Sequence, residues 1–331
     1  MGKKITITDV ADALGVSKTT VSRAISGKGR IGKETKERVL KFIGENDYVP
    51  NALARGLAEQ KTYNLGLCIP TDSAMVDLPF FNECMRGICE VAGESDYDVV
   101  VTMVSPKDTT ALERMLSNRK VDGVILSRTY VNDPNVKILK QNGIPFVTIG
   151  SFIDDDVVQI DSDHRAACEM LTSILISQGV KKIALLCGNP SHVVTNSRMN
   201  GFVDAYVKAG IKTPDKMIFK DNEGALLERN IDAILDEDYD CILCADDSIC
   251  MRVIDKLKTE GVAVPEDIKL ASFYHSKTLD RVTPRVTSLK FNAKELGMAT
   301  AKVLLNIIGG REYETKTLLG YEISLKESTK I

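Results

Sequence analysis

The sequence predicts an α/β protein in two parts: a short all-α head, followed by a larger body of doubly wound parallel sheets. Three observations predict this class. Apolar side chains have helical spacing in residues 1–49. From Tyr63 onward, short β-rich runs alternate with helical segments. With 331 residues, the chain is also longer than one small core requires.

Charge is divided unevenly between the two parts. The formal net charge of the chain is −3, which alone argues against a nucleic-acid partner. Residues 1–60, however, carry 11 basic and 7 acidic side chains, whereas the remainder carries 32 basic and 39 acidic ones. A basic head on an acidic body indicates that only the head contacts phosphates.

Two short helices are predicted at the start of the head. Thr6 and Asp9 form a capping-box pattern, so we expect the first helix to begin at Ile7. Gly15 ends it, because glycine adopts the left-handed conformation at a helix C-terminus with the least cost. Ser17 then caps a second helix that runs to about residue 26. The inward side chains are Val10, Ala11, Leu14, Val16, Val21 and Ile25.

This arrangement is a helix-turn-helix, whose second helix enters the major groove of DNA by its N-terminal end. A third helix is predicted at about residues 33–46. Its packing side chains are expected to be Val39, Leu40 and Ile43. An ordinary three-helix bundle with no role in DNA binding is the alternative.

Many residues of the head stand at fixed offsets that match a known signature. They are Thr6 to Ala11 (residues 6–11), Gly15 to Arg23 (residues 15–23), Thr35, Arg38, Val39, Tyr48, Pro50 and Asn51. In this pattern the chain resembles the lac-repressor (LacI/GalR) family of transcriptional regulators. Gly32 stands where that family usually has a serine cap, and glycine caps a helix nearly as well. The resemblance implies a homodimer on double-stranded DNA with a near-palindromic operator, because a two-fold protein binds a two-fold site.

The outward side chains of the head divide into two groups by chemistry. Lys18, Thr19 and Arg23 are candidates for base edges in the major groove. Phosphates are the expected partners of the hydroxyl side chains, since such contacts fix the register without reading sequence. These hydroxyl residues are Thr6, Ser17, Thr20, Ser22 and Thr35.

Residues 50–58 predict a short hinge helix. Asn51 is a good N-cap, and Leu53 and Leu57 fall on one helical face. Isolated helices below about 12–15 residues are marginal, so this one needs a partner. The resemblance implies that two such segments, one per subunit, pair in the minor groove, where Leu57 wedges between base pairs. Its DNA contacts would be Asn51, Ala54, Arg55 and Leu57. A frayed linker with incidental leucines is the alternative.

The body is predicted to consist of two lobes, because strand–helix alternation implies parallel sheets and the strands are too many for one compact sheet. Strands are predicted at residues 64–69, 98–103, 121–126, 145–149, 182–187, 240–244 and 268–273. Helical segments are predicted near residues 81–94, 108–118, 135–141, 163–178, 197–209, 226–236 and 248–260. This pattern resembles the periplasmic-binding-protein fold.

The resemblance implies the domain boundaries. Residues 1–49 form the helix-turn-helix domain, 50–62 the hinge and linker, and 63–331 the effector-binding and dimerisation domain. The chain is expected to cross between lobes near Ser162, Phe291 and Tyr321. The first lobe would hold residues of about 63–161 and 292–321, and the second those of about 162–291 and 322–331. The tail after residue 325 has no heptad pattern, which favours a dimer over a tetramer.

Ligands in such sheets bind beyond the carboxyl ends of the strands. Candidate effector-binding residues at these positions, and in loops that match the family, are Asp72, Phe80, Ser127, Ser151, Arg198, Asp246 and Tyr274. The family resemblance implies that Phe80 stacks on a ligand ring while Phe81 packs in the core. It also implies that Arg198, in an Arg-x-x-Gly-Phe motif, binds the effector.

Two positions depart from the family pattern. Asp246 replaces an amide, and Tyr274 stands where the family has an aspartate that holds two sugar hydroxyls. The effector is therefore left open between a modified sugar, a sugar phosphate, a nucleoside-like ligand, an anion held by Arg198 and Arg128, and no effector at all. The alternative to effector binding by Arg198 is a structural role in a surface salt bridge.

Motifs of enzymes are missing from the sequence: it has no nucleophile elbow, zinc-protease motif or phosphate-binding loop. We therefore expect a repressor of a metabolic operon, not an enzyme, with no cofactor and no metal. A stand-alone binding protein with a vestigial head is the alternative, and the hinge pattern argues against it. Cys241 and Cys244 lie in an apolar run and are expected to be buried strand thiols.

Location is inferred from two patterns. No apolar run approaches the roughly 20 residues of a membrane span, and the N-terminus has no apolar leader. The eight cysteines lie in apolar stretches, which is typical of reduced, buried thiols. We therefore expect a cytoplasmic protein with no membrane partner.

Overall fold

The computed structural model describes residues 5–26, 29–46, 56, 59–71, 79–212, 215–222 and 224–330. The chain divides into two compact units, Met1–Thr62 and Tyr63–Ile331. The predicted fold class is confirmed, with an all-α head and a body of two doubly wound sheets. Within the described ranges, no helix combines the length and apolar character that crossing a bilayer requires.

Three helices make up the described part of the head, and the predicted starts of all three are confirmed. They are α1 (Ile7–Leu14), α2 (Lys18–Ser26) and α3 (Lys33–Glu45). At the start of α1, the Thr6 amide donates to the Asp9 carboxylate at 2.8 Å, and the Asp9 amide donates to Thr6 Oγ1 at 3.3 Å. Gly15 ends α1 with a φ of 65°, and the Thr20 amide donates to Ser17 Oγ at 3.1 Å.

The core of the head includes residues that were not predicted and lacks one that was. The five buried apolar side chains of the described head are Val10, Ala11, Val21, Ala24 and Val39. Leu40, predicted to pack inward, is 45% exposed, so that prediction is wrong. Phe42 packs on the core instead. The reason is the helical period: Val39, Phe42 and Ile43 share one face of α3, and Leu40 lies about 100° away from Val39 around the axis.

In the body, each of the predicted strands and helices is present, within a few residues of its expected ends. The strands are β1 (Asn64–Pro70), β2 (Asp98–Val104), β3 (Gly123–Leu126), β4 (Phe146–Ile149), β5 (Gln159–Ser162), β6 (Ile183–Leu186), β7 (Ile218–Phe219), β8 (Cys241–Cys244), β9 (Lys269–Ser272), β10 (Thr287–Lys290), β11 (Lys316–Leu319) and β12 (Glu322–Ser324). The helices are α4 (Pro79–Glu94), α5 (Thr110–Ser117), α6 (Pro134–Asn142), α7 (His164–Ser177), α8 (Val193–Lys208), α9 (Gly224–Leu235), α10 (Asp247–Glu260) and α11 (Ala293–Ile308). Strands β5, β7, β10, β11 and β12 and helix α11 are not among the predicted elements.

Two six-stranded sheets organise the described body. The first has the order β11-β5-β4-β3-β1-β2, and all its neighbours are parallel. The second has the order β12-β10-β9-β8-β6-β7, in which only β12 runs antiparallel to its neighbour. In each sheet the direction of winding reverses at the first strand of the lobe, β1 or β6. Ligands of open α/β sheets bind outside the carboxyl ends of the strands at such a reversal.

Three crossovers connect the sheets. The chain passes from β5 into α7 after Ser162, from β10 into α11 after Lys290, and from β11 into β12 after Leu319. The predicted strand thiols Cys241 and Cys244 are fully buried on β8. All eight cysteines are free, and Cys89 on α4 is exposed, contrary to the expectation that they are buried.

Helices α7 and α8 pack very closely at Gly201. A Cβ on this residue would collide with the carbonyl oxygen of Arg165 and would lie 2.9 Å from Cys168 Cβ. Glycine lets the two backbones approach, and Phe202 beside it is fully buried. The Arg-x-x-Gly-Phe motif therefore has a packing explanation for its last two residues.

We expect Gly201→Ala to destabilise the body by about 1–3 kcal/mol, because the added methyl group overpacks the crossing of α7 and α8. Urea unfolding measures the change. Gly93→Ala on α4 is the control, since a Cβ there meets nothing within 4 Å. It should stabilise by up to about 1 kcal/mol. Equal stabilities of the two variants would contradict the close contact.

Candidate DNA-binding surface and ligand cavity

The exposed face of α2 is polar. Lys18, Thr19, Ser22 and Arg23 are exposed, and so is Ser17 just before the helix. Thr20 is partly buried, and its hydroxyl lies 2.9 Å from Ser17 Oγ. Thr6 is exposed and Thr35 partly buried. All eight residues of the head that were predicted to meet DNA are therefore at least partly accessible.

The remaining predicted DNA contacts belong to the hinge segment. Asn51, Ala54, Arg55 and Leu57 lie outside the described residues, as does the candidate ligand residue Asp72.

A cavity of about 620 Å³ lies between the two lobes at the carboxyl ends of their strands. This volume is in the range of small-molecule sites, about 300–1,000 Å³. The first lobe contributes Phe80, Phe81, Ser127, Arg128, Thr129, Ile149, Gly150 and Asp161. The second contributes His164, Gly188, Asn189, His192, Val194, Thr195, Arg198, Asn222, Gly224, Leu227, Asp246, Asp247, Ser248, Ile249, Arg252 and Tyr274. A ligand here contacts both lobes at once.

Five of the candidate ligand residues meet in this cavity, and a sixth does not. Phe80, Ser127, Arg198, Asp246 and Tyr274 line it. Ser151 is not among the lining residues, because its amide and hydroxyl both donate to Asp161 Oδ2 at 2.8 Å. Phe81 packs in the core, as expected, but also lines the cavity.

Arg198 is buried at the centre of the second-lobe wall. Its Nη1 donates to the carbonyl oxygen of Ala245 at 2.7 Å, which ties α8 to the end of β8. Its guanidinium carbon lies 5.9 Å from the Tyr274 ring centroid. Arg198 has no carboxylate within salt-bridge distance in the described residues, so it is not the surface ion pair of the structural alternative.

Two carboxylates flank Arg198. Burial raises the pKa of Asp161 and of Asp246, and the charge of Arg198 acts in the opposite direction on both. Asp246 Oδ1 also accepts from the Ile249 amide at 2.9 Å, so this side chain caps α10. Such hydrogen bonds favour the charged form of a carboxylate. Arg198 thus favours the charged form of both carboxylates, against the effect of their burial.

Aromatic rings of the two lobes are in contact. Phe80 on α4 packs edge-on against Tyr274 of the second lobe, with 6.2 Å between ring centroids. Burial, together with the charge of Asp247, raises the pKa of Tyr274, so its hydroxyl stays protonated. Where the family has an aspartate, this cavity therefore has the aromatic ring of Tyr274, whose hydroxyl can donate a hydrogen bond.

A short backbone pairing, here called the interlobe clasp, joins residues 129–131 of the first lobe to residues 191–193 of the second. The Val131 amide donates to the Ser191 carbonyl at 2.9 Å, and the Val193 amide donates to the Thr129 carbonyl at 3.3 Å. Tyr130 and His192 form an antiparallel bridge with ring centroids 5.3 Å apart. The clasp holds the lobes together at one edge of the cavity.

Side chains reinforce the clasp. Arg128 Nη1 donates to a ring nitrogen of His192 at 3.0 Å, and its guanidinium lies 5.4 Å from the Phe81 ring centroid. Burial, and then the charge of Arg128, lowers the pKa of His192 from 6.5 to about 3. His192 is therefore neutral near pH 7 and has a lone pair for Arg128.

Several cavity residues were not singled out by the sequence. Asp161 and His164 flank a crossover after β5, a strand without an apolar run that would predict it. His192 precedes α8, whose predicted start was four residues late. All three are polar residues at the end of a strand or at the start of a helix, and that position was the available signal.

Two family models match the chain. One, described as periplasmic binding proteins and the sugar binding domain of the LacI family, matches residues 62–326. The other, described as bacterial regulatory proteins of the lacI family, matches residues 6–51. The chain belongs to the LacI family. As a LacI-family member it is a DNA-binding transcription regulator, so the function predicted from the head is confirmed.

Relatives of known role are regulators rather than enzymes. The HTH-type transcriptional regulator MalR of Streptococcus pneumoniae is 31% identical over 315 residues, which cover 92% of this chain and 93% of MalR. The HTH-type transcriptional regulator AglR of Rhizobium meliloti is 29% identical over 98% of this chain and 94% of AglR.

Solved structures agree with this assignment. The transcriptional regulator CelR in complex with cellobiose is 25% identical, with a TM-score of 0.74 over 98% of this chain and 99% of CelR. A lac repressor dimer bound to operator and an anti-inducer is 22% identical, with a TM-score of 0.79 over 99% of both chains, and shares the fold.

Acid should destabilise the clasp through His192. The folded pKa of about 3 lies below the ordinary 6.5, so the unfolded chain binds a proton that the folded chain excludes between these values. We expect the free energy of unfolding to fall with decreasing pH from about 6.5, by up to about 1.4 kcal/mol per pH unit from this group.

His192→Gln, which keeps an acceptor for Arg128, should lose that part of the slope. The comparison is urea unfolding of both proteins at neutral and mildly acidic pH, since all other titrating groups are shared. Parallel curves for wild type and variant would show that His192 is not held neutral.

Proposed function

We propose that the protein is a cytoplasmic repressor of a metabolic operon. It acts as a homodimer on a near-palindromic operator, and a small molecule in the interlobe cavity controls its affinity for DNA. The observation that carries this proposal is the cavity itself, whose walls come from both lobes. Membership of a family of DNA-binding regulators supports the cytoplasmic location, because the operator DNA that such proteins bind is in the cytoplasm.

Ligand control follows from the geometry of the cavity. A ligand that contacts both lobes favours the arrangement in which they are held together, and the clasp joins the lobes in this structure. If the two arrangements differ in operator affinity, ligand and DNA affinities are coupled reciprocally, typically by 1–3 kcal/mol. Measurements of operator binding with and without ligand decide whether the ligand releases the protein from DNA or strengthens its binding.

A sugar or modified sugar is the first ligand class to consider. The family model that covers the body is described as a sugar binding domain, and the CelR structure is a cellobiose complex. The walls offer carboxylate, guanidinium, amide and hydroxyl groups beside aromatic rings, a combination that suits a polyhydroxylated ligand.

On the DNA side, Lys18, Thr19 and Arg23 are proposed to read bases from α2. Thr6, Ser17, Thr20, Ser22 and Thr35 are proposed to bind phosphates. The hinge residues Asn51, Ala54, Arg55 and Leu57 are proposed to form a paired minor-groove helix in the dimer. The family match over residues 6–51 and the dimeric lac repressor–operator structure support this arrangement.

Arg23→Ala should weaken binding to the preferred DNA site by about 1–3 kcal/mol and relax the preference at one base pair in each half-site. The preferred site comes from selection on random DNA with the wild-type protein, and gel shifts give the affinities. Lys41→Ala is the control, because Lys41 is an exposed lysine on α3 that pairs with Glu45. A wild-type protein that selects no palindrome would overturn the proposal.

Arg198→Ala should leave operator binding intact and abolish the effect of ligand on it, because Arg198 belongs to the cavity wall. Arg165→Ala is the matched control, since this exposed arginine on α7 pairs with Asp204. Fluorescence anisotropy with labelled operator, with and without ligand, gives both quantities. A ligand response that survives in Arg198→Ala would assign this side chain to structure alone.

A further inference from the structure

The chain turns back on itself just after the predicted hinge helix. Gly56 and Glu59 have helical backbone, and Gln60 lies in a turn. The amide of Lys61 donates to the carbonyl oxygen of Gly56 at 2.9 Å. A bond to the carbonyl five positions earlier is a common way to end a helix, because it satisfies one of the last free carbonyls. These described residues therefore form the C-terminal end of a helix.

Gln60 has the left-handed backbone that this kind of helix end requires. Its φ is 53°. In a left-handed residue other than glycine, the Cβ comes too close to the following carbonyl oxygen. Asparagine tolerates the conformation better than most residues, and β-branched side chains tolerate it least. A glutamine at position 60 therefore makes this helix end less stable than a glycine would.

Other helices of the protein show the same pattern with glycine. At the end of α10, the Val262 amide donates to the Leu257 carbonyl at 3.0 Å, and Gly261 between them has a φ of 71°. In the described residues, glycine takes the left-handed position of this pattern at the ends of α1, α6, α7, α8, α10 and α11. These glycines are Gly15, Gly143, Gly179, Gly210, Gly261 and Gly310.

Gly56 contributes to the turn by close approach. A Cβ on this residue would lie 2.6 Å from the Lys61 carbonyl oxygen, which is closer than such atoms normally come. Glycine weakens a helix interior relative to alanine, but here it lets the peptide group of Lys61 pack on the last turn. All these contacts lie within one chain. The helix end can therefore form before DNA or a second subunit is bound.

The hinge helix is short enough for one residue at its end to matter. Isolated helices below about 12–15 residues are marginal, so their folded and unfolded forms have similar free energies. A change in the stability of the end then shifts the folded fraction directly. A helix that stayed folded at all times would leave nothing for DNA or the lobes to control.

We propose that Gln60 is the C-terminal cap of the hinge helix and that its left-handed backbone keeps this helix marginal. Glutamine makes folding of the hinge depend on operator binding, whereas glycine would fold it in the free protein. Gln60 thereby holds operator affinity below the value that the DNA contacts alone would give. This inference rests on the proposed minor-groove role of the hinge segment, and it adds the residue that sets how readily the segment folds.

A series of substitutions at residue 60 tests the proposal by the order of affinities. Fluorescence anisotropy of the full chain with its selected operator gives each Kd. We expect affinity to decrease in the order Gln60→Gly, Gln60→Asn, wild type and Gln60→Val, with about threefold or more between the wild type and either end of the series. Helix propensity predicts that the wild type binds most tightly, because glutamine is the best helix former of the four. A Gln60→Gly variant that binds no more tightly than the wild type would overturn the proposal.

The matched control lies at the end of α5. Arg119 has a φ of 47°, and the Lys120 amide donates to the Met115 carbonyl at 3.2 Å. Arg119→Gly relieves the same backbone conformation in the body, so it should stabilise the body against urea and leave operator affinity unchanged. A gain in operator affinity equal to that of Gln60→Gly would show an effect of general stability and would overturn the proposal.

Hydrogen exchange reads the hinge helix without DNA. In the free full-length protein, a peptide that spans residues 56–62 should exchange more slowly in Gln60→Gly than in the wild type. With operator bound, the two proteins should exchange equally slowly. Identical exchange of the two free proteins would contradict a role of Gln60 in hinge folding.

Leu57→Ala separates this inference from the proposed function. If it weakens operator binding while Gln60→Gly does not strengthen it, the hinge segment binds DNA and only the role of Gln60 is wrong. If Leu57→Ala and the series at residue 60 all bind like the wild type, the minor-groove role of the hinge segment is wrong as well.

Discussion

The contact between α7 and α8 at Gly201 determines where the ligand-facing side chains stand. Because no side chain separates the helices there, Arg198 on one and His164 on the other open onto the same wall of the cavity. Helix α7 also begins directly after the first crossover, so this wall is attached to the polypeptide that joins the lobes. The packing of this pair of helices thus positions two side chains of the cavity wall.

Buried charge in the cavity is balanced locally. Arg198 interacts electrostatically with Asp161 and Asp246, and each carboxylate accepts hydrogen bonds from backbone or hydroxyl donors. Arg128 donates to the neutral ring of His192. Charged groups in such a site are costly unless they have partners, and Arg198 and both carboxylates each have at least one hydrogen bond.

Much of the fold was predictable because its signals are local. The capping box at Thr6, the glycine turn at Gly15 and the apolar strands of the body all depend on neighbours in the sequence. Leu40 was misplaced because the inward face of α3 is set by Val39, Phe42 and Ile43, and an apolar residue next to Val39 does not reveal on which side of it that face lies. Helix α11 was overlooked despite an Asn292 cap and buried residues at helical spacing, such as Leu296, Thr300 and Leu304.

The site was predictable only in part, because several of its side chains are positioned by contacts with residues distant in the sequence. Asp246 and Tyr274 follow strands that the sequence reveals, and Arg198 belongs to a sequence motif on a predicted helix. Ser151 was a reasonable candidate by position, yet its hydroxyl serves Asp161, and that partnership is set by strands β4 and β5 lying side by side. The pairing of Arg128 with His192 joins residues 64 positions apart and has no local pattern.

The interlobe clasp is made mainly by amide and carbonyl groups of residues 129–131 and 191–193. Every residue supplies a backbone carbonyl, and every residue except proline supplies an amide hydrogen. Side chains facing the cavity can thus be exchanged over generations without loss of this connection. A regulator with such a clasp can acquire a different ligand while the backbone connection between its lobes is kept.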